Sequence, residues 1–344
     1  MIYIYTCAYN AKKTLRTAVN SILNQTYTDF IYYILDNGSI DYTKKIIEEY
    51  ANQDERVTPL YGSINSQGKL FKIIKDIILT NKILSNSYFV VLDADDEYSP
   101  DFLEKMINFV EENNLEVATC GTEWIDEKTE QTIKKKVLSK NLILEGREFA
   151  DKFPLYRNYI VTSWGGIYSL ELLKRCNFDW YHSAMNFSDT AFCMETFRRA
   201  KRAGVLSESL HKYYISPESI SYKYNSNWFQ ACKYLHRISR EYLLDYGEIS
   251  KQNEDYLCVI FLVSIKYIIP RIQQADVNLS EKLKSLYNIF TDDMTRYLLE
   301  HWDKVGIYSN KLDFLREIEA WLYSQDDWER FRKTVEEIIR AMYI

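Results

Sequence analysis

The six cysteines, Cys7, Cys120, Cys176, Cys193, Cys232 and Cys258, form no CxxC pair. That excludes the usual zinc and redox motifs and fits reduced thiols in a cytoplasm. GxxxxGK[ST] and GxGxxG are both missing, so phosphate would find no glycine-rich cradle. Nor does any apolar run reach the roughly 20 residues that span a bilayer. The best candidate, Tyr256 to Pro270, is interrupted by Lys266 and reads as a buried core helix. At the N-terminus, "MIYIYTCAYN" has no basic start and soon turns polar, which suits a first strand better than a signal peptide. Excess positive charge is absent as well: a formal net charge of -6 argues against broad nucleic-acid binding. The one basic run, Lys134 to Lys136, reads as a solvated loop. There is no Pro-rich linker and no internal repeat.

What is present is apolar mass with a clear rhythm. A chain of 344 residues, 47% of them apolar, can bury substantial cores, and its length suggests one large domain and a smaller one. Strand-like and helix-like segments alternate through the first hundred residues. "IYIYTCA", "IYYIL", "RVTPLY" and "YFVVL" are the predicted strands; "TLRTAVNSILNQ", "TKKIIEEYA" and "LFKIIKDIILTNK" are the helices between them. Such alternation implies parallel βαβ units and a sheet covered on both faces. "EVATCGTEW" adds a strand, Ile125 to Leu144 a polar hairpin or loop, and "SWGGIYS" a glycine pair before a short helix. Beyond about Tyr224 helical periodicity dominates and an all-α region is predicted. There Trp328, Phe331, Val335, Ile338, Ile339 and Met342 share one face.

Against this background "VVLDADDEYSP" stands out, with Asp93, Asp95 and Asp96 crowded at the end of a predicted strand. Like charges this close repel unless solvent or a cation relieves them, so the cluster is either a solvated turn or a cation site. Ser99, Pro100 and Asp101 suffice to start the next helix without it. "TCAYN" and "DNGSID" fall at the ends of two other strands, and in open α/β sheets those ends share one crevice. Tyr9 can pack on a planar base, Asp36 or Asn37 can hydrogen-bond its edge, and aspartate oxygens can hold a hard divalent cation against a diphosphate.

These segments, with "NQTY", resemble in order and spacing the family 2 glycosyltransferases of bacterial glycan assembly. The resemblance is strong over about the first 110 residues and weaker to about 222. It implies a GT-A, Rossmann-like nucleotide-sugar-binding domain with a mostly parallel central sheet, followed by an all-α domain, with boundaries at 1–224 and 225–344. It also implies an inverting, metal-dependent transfer from a nucleoside-diphosphate sugar, UDP-linked by preference, to a hydroxyl of a glycan or lipid-linked saccharide. Manganese or magnesium would be the cofactor. Carried over residue by residue, Cys7, Tyr9, Asp36 and Asn37 fall at the base, Asp93 beside the ribose and metal shell, and Asp95 on the metal. Asn37 stands where the family usually has a second aspartate, which loosens base identity.

An arginine and a histidine of the family's later segment are replaced by Tyr214 and Ser216, so no ligand is assigned there, and His211 reads as structural. The inverting reaction needs a carboxylate base, and the resemblance points to Asp189 in "NFSDTAFCMETF", with Ser188 as the helix cap. Asp179 and Glu195 stand next in line. A carboxylate that merely suits a helix N-terminus is the competing reading of Asp189. Alternatives for the whole chain are a non-catalytic sugar-nucleotide or glycan-binding module and a sugar nucleotidyltransferase. The implied setting is cytoplasmic, at polysaccharide or cell-envelope synthesis. It leaves open peripheral association with the inner membrane face and homo-oligomers through the C-terminal helices.

Overall fold

In the computed structural model the described residues are 1–63, 69–80, 85–178, 188–216, 224–302 and 311–343, the side chains of Lys69 and Phe71 excepted. The chain divides into two compact units, Met1–Ser216 and Pro217–Ile344. The predicted helix over 70–82 ends in part outside the described residues, as do Asp179 and most of "SPESISY".

The first unit opens with β1 (Ile2–Ala8), α1 (Leu15–Leu23), β2 (Phe30–Asp36), α2 (Thr43–Gln53), β3 (Val57–Tyr61), α3 (Lys69–Thr80) and β4 (Tyr88–Val91). There follow β5 (Glu97–Tyr98), α4 (Phe102–Glu112), β6 (Val117–Asp126), β7 (Thr132–Lys136) and β8 (Leu142–Glu145). Two single-turn helices, α5 (Glu148–Asp151) and α6 (Phe153–Tyr156), lead to β9 (Gly166–Ser169), α7 (Leu170–Arg175), α8 (Ser188–Arg199) and β10 (Arg202–Ile215). The strands join in the order β3-β2-β1-β4-β9-β6-β10-β5, with β7 on β6 and β8 on β10. β2, β3 and β4 pair in parallel around β1, and β10 is parallel to β6, while β9 runs antiparallel between β4 and β6. The central sheet is therefore mostly parallel, with one reversed strand inserted.

The local chemistry accounts for these elements. β1 is buried at every position but Cys7, as a strand covered on both faces should be. α1 buries Leu15, Ala18, Val19 and Ile22, one stripe at helical spacing. α4 starts later than the sequence suggests. Asp101 is its N-cap, while the Ser99 hydroxyl donates to the Leu210 carbonyl at 3.0 Å and so belongs to a contact with β10. Lys134 to Lys136 is likewise not a loop: these residues lie in β7, paired with Thr122, Glu123 and Trp124 of β6.

The second unit is helical throughout its described residues: α9 (Trp228–Leu244), α10 (Lys251–Gln274), α11 (Leu279–Phe290), α12 (Asp293–Glu300), α13 (Lys311–Tyr323) and α14 (Arg332–Met342). Its core, including Phe261, Ile265, Leu286, Phe290, Leu315 and Ile338, is drawn from these helices and from Trp302 just beyond α12. Ser250, Asn278 and Asp292 cap α10, α11 and α12 through their side chains. α10 does not stop at Pro270. Pro270 and Lys266, four residues earlier, are both exposed, so water can replace the amide that proline lacks.

Candidate active site

β1 lies between β2 and β4, so the chain reverses its order of strand addition there, and ligands of open α/β sheets bind outside the strand ends at such a point. On the β2 side, Ala8 stands opposite Asp36, and the Asn37 amide donates to the Ala8 carbonyl at 2.8 Å. Cys7 is exposed and Tyr9 is 43% exposed, whereas Asp36 and Asn37 are buried. Two left-handed residues shape the loops above them, Asn10 at φ 51 and Gly38 at φ 84. Asn10 locks the loops together: its amide donates to Ser39 Oγ at 2.9 Å, and its side-chain oxygen accepts from the Ile40 amide at 3.0 Å. Asp36 Oδ1 accepts from the Ser39 amide at 3.0 Å. The exposed faces of Cys7 and Tyr9 thus rest on a hydrogen-bonded floor.

The acidic turn sits one strand over. The Leu92 amide donates to the Tyr5 carbonyl at 3.0 Å and Thr6 Oγ1 to the Leu92 carbonyl at 2.8 Å, so β1 fixes where β4 ends. The Asp96 amide then turns back onto the Asp93 carbonyl at 3.3 Å. Carboxylate oxygens of Asp93, Asp95 and Asp96 all lie within 4.8 Å of one another, a hard oxygen donor set that suits magnesium or manganese. The three are not equivalent. Asp95 is exposed, but Asp96 is 1% exposed and already engaged. Its Oδ1 accepts from the Tyr214 amide at 3.2 Å, and its Oδ2 stands 3.2 Å from His211 Nε2.

Burial and the neighbouring carboxylates oppose full ionisation of the turn. Burial raises the Asp93 pKa well above the ordinary carboxylate range, and the charges of Asp96, Asp95 and Asp189 add to it. Asp96 is raised by burial and by Asp95, against the opposing Tyr214 amide. Desolvation raises Asp95, a backbone hydrogen bond at Asp95 opposes the rise, and the charge of Glu127 adds to it. His211 is itself pushed down to about 3, mainly by burial and further by Lys136, so it is a neutral imidazole. Its ring stacks on Trp164 with centroids 4.1 Å apart. His211 is thus buried and stacked at the edge of the acidic turn, with neither ring nitrogen in a hydrogen bond among the described residues.

Asp189 occupies the first turn of α8 and is half-buried, with Ser163 Oγ donating to its Oδ1 at 3.3 Å. Burial raises its pKa and the Ser163 contact opposes that rise. Ser163, which holds Asp189, adjoins Trp164, whose ring stacks on His211 beside Asp96, so the topology brings the α8 terminus near the acidic turn across more than ninety residues of chain. Docking is specific: Thr190 Oγ1 donates to the Val161 carbonyl at 2.7 Å and Cys193 Sγ to the Thr162 carbonyl at 3.1 Å. Gly165, at φ +73, donates its amide to the Tyr98 hydroxyl at 2.8 Å, and that hydroxyl donates to the Val91 carbonyl at 2.5 Å. Glu195 is turned away, paired with Arg199 at 2.8 Å and with the Asn177 amide at 2.9 Å. Sequence reading missed Tyr98, Ser163 and Trp164. Only the glycine pair of "SWGGIYS" signalled that this segment approaches the site.

A mostly parallel sheet with an oxygen-rich turn at its switch point is the GT-A architecture. Residues 3–171, most of the first unit, match the family described as Glycosyl transferase family 2, and that unit is a glycosyltransferase domain of this kind. It is 25% identical over 259 residues to the uncharacterized glycosyltransferase YibD of Escherichia coli (strain K12), covering 71% of this chain and 73% of that protein. To the uncharacterized glycosyltransferase EpsJ of Bacillus subtilis (strain 168) it is 23% identical over 306 residues, 88% of this chain and 86% of the relative. Among solved structures, S. aureus TarS 1-349 in complex with UDP-GlcNAc is similar in fold, with a TM-score of 0.66 and 17% identity over 99% of this chain and 90% of that one. Among the described residues no helix is long and apolar enough to cross a membrane.

Proposed function

We propose that this chain transfers a sugar, with inversion, from a UDP-sugar to a hydroxyl of a glycan or lipid-linked saccharide. The observation that carries the reading is the acidic turn of Asp93, Asp95 and Asp96 at the switch point of the sheet, to which Asp189 is linked through Ser163, Trp164 and His211. An in-line displacement needs a base on one side of the sugar and a held diphosphate on the other. Asp95, the exposed carboxylate of the turn, would hold the cation with Asp93 beside it. A bound manganese or magnesium ion would neutralise charge developing on the leaving diphosphate. Tyr9 would pack on the base, the Cys7 backbone would contact it and the Asn37 side-chain oxygen would accept a hydrogen bond from its imide N–H, with Asp36 bracing the loop. Asp189 would take the proton of the acceptor hydroxyl. Its raised pKa suits that role, since a base works best when its pKa lies near the operating pH. UDP-GlcNAc in the similarly folded TarS supports a uridine donor. The cytoplasmic, membrane-adjacent setting belongs to the same proposal.

The test is calorimetry of UDP, GDP and ADP with and without manganese, together with a sugar-nucleotide hydrolysis screen. UDP should bind tightest, and only with the metal. Asp95→Ala should abolish the metal-dependent part while the fold persists, because alanine offers neither charge nor oxygen. Metal-independent binding, or an unchanged mutant, would refute the assignment. Tight binding without any turnover would favour the non-catalytic module instead.

A further inference from the structure

The face of the sheet that carries His211 continues past the acidic turn. Thr122 of β6 pairs with His211 of β10 on one side and with Lys136 of β7 on the other. Two residues along, Trp124 pairs in the same way with Tyr213 and with Lys134. Side chains two apart on a strand share a face, so these two rows lie side by side. Ring contacts join them to the acidic turn: Trp164 stacks on His211, Tyr213 on Trp164 at 5.6 Å, and Trp124 follows at 6.5 Å from Tyr213. Lys134 and Lys136 each hold their ammonium 5.3 Å from the Trp124 ring.

We infer that this strip, Trp124 and Tyr213 with Lys134 and Lys136, is the binding surface for an acceptor saccharide that carries acidic groups, carboxylate or phosphate. Three features favour that chemistry. Trp124 and Tyr213 are only half-buried, and flat rings of this kind accept the apolar face of a sugar. Neither lysine has a carboxylate partner among the described residues, in a chain whose net charge is -6. The Lys136 ammonium is moreover fixed, donating to the Asn158 carbonyl at 2.6 Å and lying 4.7 Å from the Tyr159 ring. The strip also has polarity: a cation and diphosphate suit its acidic end, while its lysine end lies about two strand spacings, roughly 10 Å, from His211. An acidic acceptor would be repelled from the first and drawn to the second, which leaves its reacting hydroxyl between them.

Cross-strand lysines over a tryptophan also stabilise a hairpin, and the test must separate that role from binding. The full chain is titrated calorimetrically with trigalacturonate, with a glycerol phosphate oligomer and with maltotriose, each with UDP and manganese present. At least one acidic probe should bind more tightly than maltotriose, and which one binds identifies the acid group. Lys134→Gln/Lys136→Gln should weaken that probe ten-fold or more, flatten its salt dependence and leave UDP affinity unchanged. The exposed single change Lys134→Gln, which does not disturb a buried group, should give a smaller loss in the same direction. Equal binding of acidic and neutral probes, no acidic binding, or parental affinity in both variants would overturn the inference. It rests on the glycosyltransferase reading, yet fails separately: loss of UDP binding in the parent chain would sink that reading, whereas UDP binding without acidic-glycan binding would sink only this one.

Discussion

At the scale of single residues, the same chemical group does different work according to its neighbours. Asp95 and Asp96 are adjacent, yet one faces solvent and the other is buried, accepting from the Tyr214 amide. For Asp189, replacement by asparagine keeps shape and removes proton affinity. UDP binding should survive while transfer falls by roughly two to four orders of magnitude, or about 3 to 5 kcal/mol of barrier. Parental turnover in a folded Asp189→Asn protein would reduce the carboxylate to a helix-terminus role. Lys136 offers a test of the sign of burial. Its folded pKa is lowered to about 8 from an ordinary 10.5, mainly by desolvation. Between these values the unfolded chain holds more protons, so stability should rise with pH across that window, the penalty being full below about 8 and gone above 10.5. Urea unfolding of the parent and of Lys136→Met at several pH values isolates the contribution. Identical pH slopes in the two proteins would contradict it.

At the scale of elements, β6, β7 and β10 meet at a point where there is no room for a side chain. A Cβ on Gly121 would lie 2.5 Å from the Lys136 carbonyl oxygen and 2.9 Å from that of Glu208. Both are backbone atoms, so Gly121→Ala must move a strand. We expect a loss of about 1 to 3 kcal/mol in chemical denaturation. An unchanged midpoint would mean that the sheet gives way freely there. The alternation of strands and helices in this unit was legible because periodicity is a local property of the chain. The same is true of the strand-end motifs: Cys7, Tyr9, Asp36, Asn37 and Asp93 follow directly on apolar strands, and topology alone gathers such ends. What escaped was non-local. Ser99 looks like a cap until its partner, Leu210, is known to be 111 residues away. Lys134 to Lys136 looks like a solvated loop until Trp124 is placed opposite Lys134. Nothing near β9 in sequence signals that it inserts, reversed, between β4 and β6.

At the scale of the whole molecule, each unit closes its own core. The cluster around Ile4, Val90 and Met106 uses residues of the first unit only, and that around Phe261, Leu286 and Ile338 uses the second only. The fragment 217–344 is therefore expected to fold alone, with a helical far-ultraviolet spectrum and a cooperative melt. A molten, dye-binding fragment would show that the helices depend on the first unit for their order.

The first unit ends close in sequence to a residue that holds the acidic turn. β10 ends at Ile215, one residue after Tyr214, whose amide holds Asp96, and the first unit ends at Ser216. The last strand of the first unit thus works as a tether knotted to the carboxylate loop two residues before it leaves. Beyond that bond the Ile215 carbonyl accepts from the Glu127 amide at 3.3 Å, so the end of β10 is pinned twice, once to the carboxylate loop and once to the far end of β6.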